Sequence, residues 1–260
     1  MLQRLFNRPT LAIDDAAWER LRAHSPLFRT FAGDDAARLR ERADAFLRAK
    51  AIEAAGGAEV GDFEGQLIAV CAAIPILALG VDWYDGWHAV VVYPDEFLAR
   101  HAFEDEAGVL HEGDRELIGE SWDRGPMILS LRDVVDCASG ELIGNVVIHE
   151  CAHKLDQLNG SVNGFPPLHR GMSPSVWTAA WQQAYDDLVR RVDAGEDTAI
   201  DPYAVEEPGE FFAVLSEYFF TEPALVREAY PAVYEQLRLF YRQDPAARPL
   251  PEYPIEPASA

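Results

Sequence analysis

Asn145-Val-Val-Ile-His149-Glu150-Cys151-Ala152-His153-Lys154-Leu155 is the stretch on which the fold of this chain turns. The pattern is helical from Gly140 to Leu158, and Asn159-Gly160 supplies a C-terminal stop. On a helix, residues four apart share a face, with Cβ atoms about 6 Å apart. The imidazoles of His149 and His153 can therefore converge on one zinc ion, at about 2.0–2.1 Å each. Glu150 is rotated away from that pair. It is placed as a general base, taking a proton from a water activated at the metal and passing it to a leaving amine. The apolar run Val146-Val147-Ile148 ahead of the motif is what a buried active-site helix requires. Glu150-x-x-His153 is also a unit of the di-iron carboxylate bundles, which need two such units. No other Glu in the chain has a His three residues later.

The bulk numbers agree with an enzyme-sized domain. The chain has 260 residues, 49% of them hydrophobic, enough for a substantial core. The formal net charge is −22, and Lys50 and Lys154 are the only lysines, set against twenty arginines scattered among more numerous acids. Direct nucleic-acid binding needs clustered basic residues and is excluded on that ground. Three cysteines, Cys71, Cys137 and Cys151, do not make a disulfide framework and fit a cytoplasmic protein. The N-terminus carries no run resembling a signal peptide. The most apolar stretch, Leu67 to Val81, is 15 residues long and contains Pro75, shorter than the about 20 residues a membrane span needs.

Outward from the motif, Asp14 or Asp15 caps a short helix, and a longer one is expected from Asp34 to about Ala54. Another spans Phe63 to Ile74, with extended chain after Pro75. His88 to Tyr93 and Met127 to Leu131 read as strands. Ala102 to Asp123 is an acidic loop or irregular hairpin. Helices follow over Trp177 to Val192, from near Glu210, and from Pro231 to about Arg242. Strands confined to the middle, with helices on either side, predict an α+β architecture: a small central sheet, an active-site helix, and helical N-terminal and C-terminal parts. The expected organisation is a helical part over 1–80, packed as one domain with a catalytic part over 81–245, and a Pro/Ala-rich tail over 246–260. His24, His88, His101 and His169 are expected to be structural, His111-Glu112 a surface pair, and Trp177, Trp181 and Tyr185 core residues.

A catalytic zinc keeps three protein ligands and one open position. Positions 156 and 159 hold Asp and Asn, so a third ligand of the extended H-E-x-x-H-x-x-G-x-x-H type is excluded. Ser173 to Trp181 contains no acid, which removes the thermolysin-like spacing as well. The remaining candidates, Glu210 and Glu217, share a helix face about 10.5 Å apart along the axis, so one ion does not take both. Position alone leaves the choice open. Asp156 lies near the face of His149 and His153, placed to orient an imidazole from behind, and the acid that is not the ligand has the same supporting role.

Several further stretches accompany the motif: Asp82-Trp-Tyr84, Val90 to Asp95, Gly125-Pro126, Leu129-Ser130, Asn163 to Leu168, Asp201-Pro-Tyr203, Glu210 to Glu217 and Phe240 to Pro245. Together they resemble the Mlc titration factor A proteins, bacterial cytoplasmic zinc metallopeptidases. The resemblance implies a zincin-like fold similar to the catalytic domain of anthrax lethal factor. It implies one zinc per chain, held by His149, His153 and Glu210, and Glu217 is then the acid expected in the supporting role. It implies a catalytic tyrosine seven residues before the third ligand, where Tyr203 stands. It further implies that Met127, Ile128, Leu129 and Ser130 form an edge strand pairing with a peptide substrate. The expected activity is aminopeptidase-like hydrolysis of short peptides. A transcriptional repressor of the Mlc type, and through it the control of sugar uptake, is implied as a partner by the resemblance alone. The competing expectation is a regulator-binding protein on a peptidase scaffold.

Overall fold

The structure is a computed structural model and describes residues 12–95 and 125–249. Asp14 opens the first helix, α1 (Asp15–His24), its carboxylate accepting from the Ala17 N–H at 2.7 Å. The short α2 (Pro26–Arg29) follows, then α3 (Gly33–Ala49), which buries Leu39, Ala43 and Phe46 on one face. The helical pattern expected to continue to Ala54 stops at Ala49. Lys50 is extended, and Ala51–Ala54 form strand β1. Local spacing here is overridden by pairing with a distant strand, which no helical wheel registers. α4 (Asp62–Ala73) is buried along its whole length from Gly65 onward. The chain after Pro75 makes tight turns and a 3-10 helix over Val81–Tyr84 rather than an extended segment.

Strand β2 (Ala89–Tyr93) lies between β1 and β3 (Met127–Ser130), and both pairings are parallel. The register runs from Ala51↔Ala89 to Ala54↔Val92, and from Val90↔Met127 to Tyr93↔Ser130. Parallel neighbours need a crossover of a dozen or more residues. α4 supplies the first; the second, including the expected acidic loop over 102–123, lies outside the described residues. The first 80 residues are therefore not purely helical. They give β1 to a sheet completed by later residues, and α1, α3 and α4 share one core with the helices that follow.

The strand expected over 127–131 ends at Ser130, whose hydroxyl caps α5 (Leu131–Ser139) by accepting from Asp133 N–H at 3.3 Å. That helix was not anticipated, although Ser130 before Asp133, and Gly140 after Ser139, are start and stop signals. α6 (Val146–Asp156) carries the His-Glu motif. α7 (Pro174–Asp193) buries Trp177 and Trp181, stacked 5.1 Å apart. α8 (Pro208–Thr221) packs along α6, and α9 (Pro223–Ala229) and α10 (Pro231–Tyr241) close the domain. The described residues contain no helix long and apolar enough to cross a membrane.

Three buried charges hold this frame together. Lys50 donates to the Tyr84 and Trp87 carbonyls, each at 2.5 Å, and its ammonium lies 4.1 Å from the centre of the Trp87 ring. Lys154, on α6, donates to the Gly125 carbonyl at 3.2 Å. The two lysines thus fasten the chain just ahead of all three strands. Asp156 is fully buried at the end of α6 and accepts from the Asn163 and Gly164 N–H groups at 2.8 and 2.7 Å. Burial raises its pKa, and those two N–H groups oppose the shift. Gly164 needs its glycine: φ is +75°, and a Cβ there would sit 2.7 Å from the Pro208 carbonyl oxygen at the start of α8.

Two stability predictions follow from unpaired polar groups being costlier than their bonds are worth. Lys50→Met, which keeps the stem and strands two carbonyls, is expected to lower unfolding free energy by about 2–3 kcal/mol in urea titrations. Asp156→Ala in metal-stripped protein is expected to cost about 2–4 kcal/mol, while Asp156→Asn, which still offers an acceptor to both N–H groups, costs about 1 kcal/mol or less.

Candidate metal centre

The helix that carries the site starts at a well-made cap. Asn145 is extended, and its side-chain oxygen accepts from the Ile148 N–H at 3.1 Å. Val147, Ile148, Cys151, Ala152 and Leu155 turn into the core, which leaves His149, Glu150 and His153 on the half-buried face. Cys151 is fully buried, as its position on the wheel implies, and burial pushes its thiol pKa up.

Glu210 arrives from the first turn of α8. Its Oε2 lies 3.2 Å from His149 Nε2 and 3.4 Å from His153 Nε2, and the two Nε2 atoms are 3.2 Å apart. Three donors of the right chemistry thus form a nearly equilateral triangle. A tetrahedral ion with bonds of about 2.0–2.1 Å would hold its ligands about 3.3–3.4 Å apart, so the residues present fit a metal ion. The protonation pattern says the same. Two imidazole nitrogens facing each other cannot both carry a proton at that distance, and an ion between their lone pairs satisfies both.

Glu217 stands on the opposite side of the same imidazole, its Oε2 3.2 Å from His149 Nδ1. Geometry therefore separates the two acids that position alone left equivalent. Glu210 joins the triangle; Glu217 faces the ring nitrogen that points away from it. Without a metal, burial depresses the His149 pKa, but the two carboxylates outweigh it and lift the value to about 10. Burial alone would raise Glu210, yet its hydrogen bonds to His149 and His153 hold it well below the usual carboxylate range.

Tyr203 enters from the 3-10 turn Pro202–Val205, which Asp201 caps by accepting the Tyr203 N–H at 2.9 Å and Tyr185 steadies by donating to the Val205 carbonyl at 2.8 Å. Its ring centre lies 6.3 Å from that of His149, and 43% of the residue is exposed. Burial first, then the carboxylates of Glu210 and Glu206, push its pKa up to about 12, so the phenol keeps its proton at neutral pH. Glu150 is half-buried and acts electrostatically on both His149 and Tyr203.

Other expected site residues fall as follows. Met127, Leu129 and Ser130 are buried and Ile128 is half-buried, on a strand that forms one edge of the sheet among the described residues. Asp156 makes no hydrogen bond to either imidazole; its bonds go to the 163–164 backbone, and His153 Nδ1 has no hydrogen-bond partner among the described residues. His169 is structural, its Nε2–H donating to the Phe240 carbonyl at 2.7 Å. His101 and His111-Glu112 lie outside the described residues. Sequence reasoning missed Asn145 and Gly144. The Asn before an apolar helical run was a readable cap signal; Gly144 became readable only once Glu217 was placed.

Comparison with known proteins adds an independent line. The family model described as "Glucose-regulated metallo-peptidase M90" matches residues 3–242. The chain is 40% identical over 229 residues to "Mlc titration factor A" of Pectobacterium atrosepticum, covering 86% of this chain and 84% of that protein. It is 42% identical over 185 residues to proteins of the same name from Yersinia pestis and Yersinia pseudotuberculosis, covering 70% of this chain and 67% of each. With three metal-competent side chains, His149 and His153 from the motif helix and Glu210 from α8, and a family match along nearly the whole sequence, the chain belongs to the glucose-regulated metallo-peptidase M90 family.

Proposed function

We propose that this protein is a zinc-dependent peptidase of zincin-like fold. The observation that carries the proposal is the triangle of His149 Nε2, His153 Nε2 and Glu210 Oε2, with sides of 3.2–3.4 Å, beside Glu150 and Tyr203. Two neutral imidazoles and one carboxylate are a donor set suited to zinc, and three ligands leave a position open. A zinc ion held there would supply Lewis acidity to a water and to the scissile carbonyl. Glu150 takes the proton of the attacking water and delivers it to the departing amine. Tyr203, a protonated phenol at neutral pH, donates a hydrogen bond to the oxyanion of the tetrahedral intermediate. The outer edge of β3, Met127 to Ser130, takes the substrate backbone as an added strand. Short peptides with a free amino end are the proposed substrates, since an acidic molecule of net charge −22 attracts an ammonium group. The proposed location is the cytoplasm, which suits three unpaired cysteines.

A second role has its own support. The relatives' printed name, "Mlc titration factor A", speaks of a partner titrated rather than a peptide cleaved. Binding of a repressor of that type, linking the protein to sugar uptake, is proposed as a function beside hydrolysis; pure sequestration on an inactive scaffold is the alternative. Glu150 argues for chemistry, because a metal that only braces the fold has no use for a general base.

The decisive experiment measures zinc content and hydrolysis of a panel of aminoacyl and blocked-peptide chromogenic substrates in the same samples. Wild type is expected to hold about one zinc per chain and to lose turnover to a chelator. Glu150→Gln should keep the zinc and lose at least about 100-fold in kcat, and Glu210→Ala should lose the zinc. Zinc bound without turnover on any substrate would favour the sequestering scaffold. Tyr203→Phe is expected to lower kcat by about 10²–10³-fold with little change in KM, the signature of a bond made only in the transition state. An unchanged kcat would remove the phenol from the mechanism.

A further inference from the structure

We infer that Gly144 and Glu217 form a positioning device that fixes both the start of the metal helix and the ring orientation of His149. The inference rests on His149 being a metal ligand. The two oxygens of one carboxylate do two different jobs. Oε1 accepts the Asn145 N–H at 2.5 Å, and Oε2 meets His149 Nδ1 at 3.2 Å. Asn145 is the N-cap of α6, so the first contact sets where the helix begins, and the second sets how its first imidazole is turned.

Asn145 is itself held from a third direction. Its side-chain N–H donates at 3.3 Å to Sγ of the fully buried Cys71 on α4. The corner thus joins α4, α6 and α8 at one residue.

Gly144 makes this possible by having no side chain. A Cβ built there would fall on the Glu217 carboxylate, 2.8 Å from its Cδ and closer still to Oε1. The residue also has φ +95°, which side-chain-bearing residues rarely adopt. The carboxylate occupies the place where a side chain at 144 would be.

The chemical consequence concerns the tautomer. A carboxylate has no proton to give, so the bond to Oε2 requires His149 to carry its proton on Nδ1. In the neutral imidazole that a metal needs, the lone pair is then on Nε2, the atom that faces Glu210 and His153. Carboxylate–imidazole pairing of this kind orients a ligand and raises its basicity, and its loss costs about 10–100-fold in metal affinity.

Glu217→Gln separates the two jobs. Its amide oxygen still accepts the Asn145 N–H, but its NH2 group now points at Nδ1. His149 must then accept there and place its proton on Nε2, where a metal would bind. Zinc affinity is read by competition with a chromophoric chelator, ring orientation by the visible spectrum of the cobalt-substituted protein, and folding by urea titration of metal-free protein. Glu217→Gln is expected to weaken zinc about 10–100-fold and alter the cobalt spectrum, with a metal-free unfolding midpoint close to wild type. Gly144→Ala should weaken zinc and also lower that midpoint. In the double variant the loss of affinity should be no greater than the larger single loss, because both changes break one contact.

Wild-type affinity and spectrum in Glu217→Gln, or fully additive losses in the double variant, would overturn the device. His149→Ala is the control. If it binds zinc as wild type does, the metal assignment itself falls, and the device with it, by a result distinct from either of those.

Discussion

His149 meets a carboxylate at each ring nitrogen, Glu210 at Nε2 and Glu217 at Nδ1, both about 3.2 Å away. The rest of the site depends on that double contact. The two acids stand two turns apart on α8, about 10.5 Å along the axis. They reach one ring only because α6 packs against α8 with His149 between them. Charges this far out of water are tolerable only with partners, and removing one partner costs more than the pair contributes. The apolar face of α8, with Phe211, Phe212, Val214, Leu215 and Phe219, therefore has a second task beyond filling the core. Each large side chain buried there is worth about 1.5–3 kcal/mol, and together they hold the helix against the electrostatic cost of its two glutamates.

The supports behind the triangle are arranged differently for each of its residues. His149 has Glu217 behind it. His153 has an Nδ1 with no hydrogen-bond partner among the described residues, and the nearby Asp156 spends its bonds on the backbone of residues 163 and 164. That loop touches the start of α8 through the Gly164–Pro208 approach, so Asp156 steadies the entry of the helix that delivers Glu210. One ligand is fixed by a direct contact, and another through the backbone that leads to it.

Much of this was legible in the chain. The spacing of His149 and His153 placed both on the helix face that meets Glu210, because helical geometry is local. Helices α1, α4, α7 and α10 and strand β2 were legible for the same reason. The misreadings have a common cause. Ala51–Ala54 continue the apolar spacing of α3, but parallel pairing with β2 and the capture of Lys50 by the Tyr84 and Trp87 carbonyls draw them into the sheet. Glu210 and Glu217 were equivalent by position, since which ring atom each meets is decided by how α8 docks. The cap at Ser130 was local and readable; the expectation of a longer strand obscured it.

The exposure of the site residues follows from what each must touch. Tyr203 is 43% exposed and Glu150 half-buried. Asn145 and Asp156, which only hold other groups in place, are buried. A group that donates to a developing oxyanion has to be reached by substrate, so it accepts some solvent screening. A group that only sets a ring orientation works best where water cannot compete for its hydrogen bonds. Burial and then the acids around it push the Tyr203 hydroxyl's pKa up from a value that already lies above the neutral range.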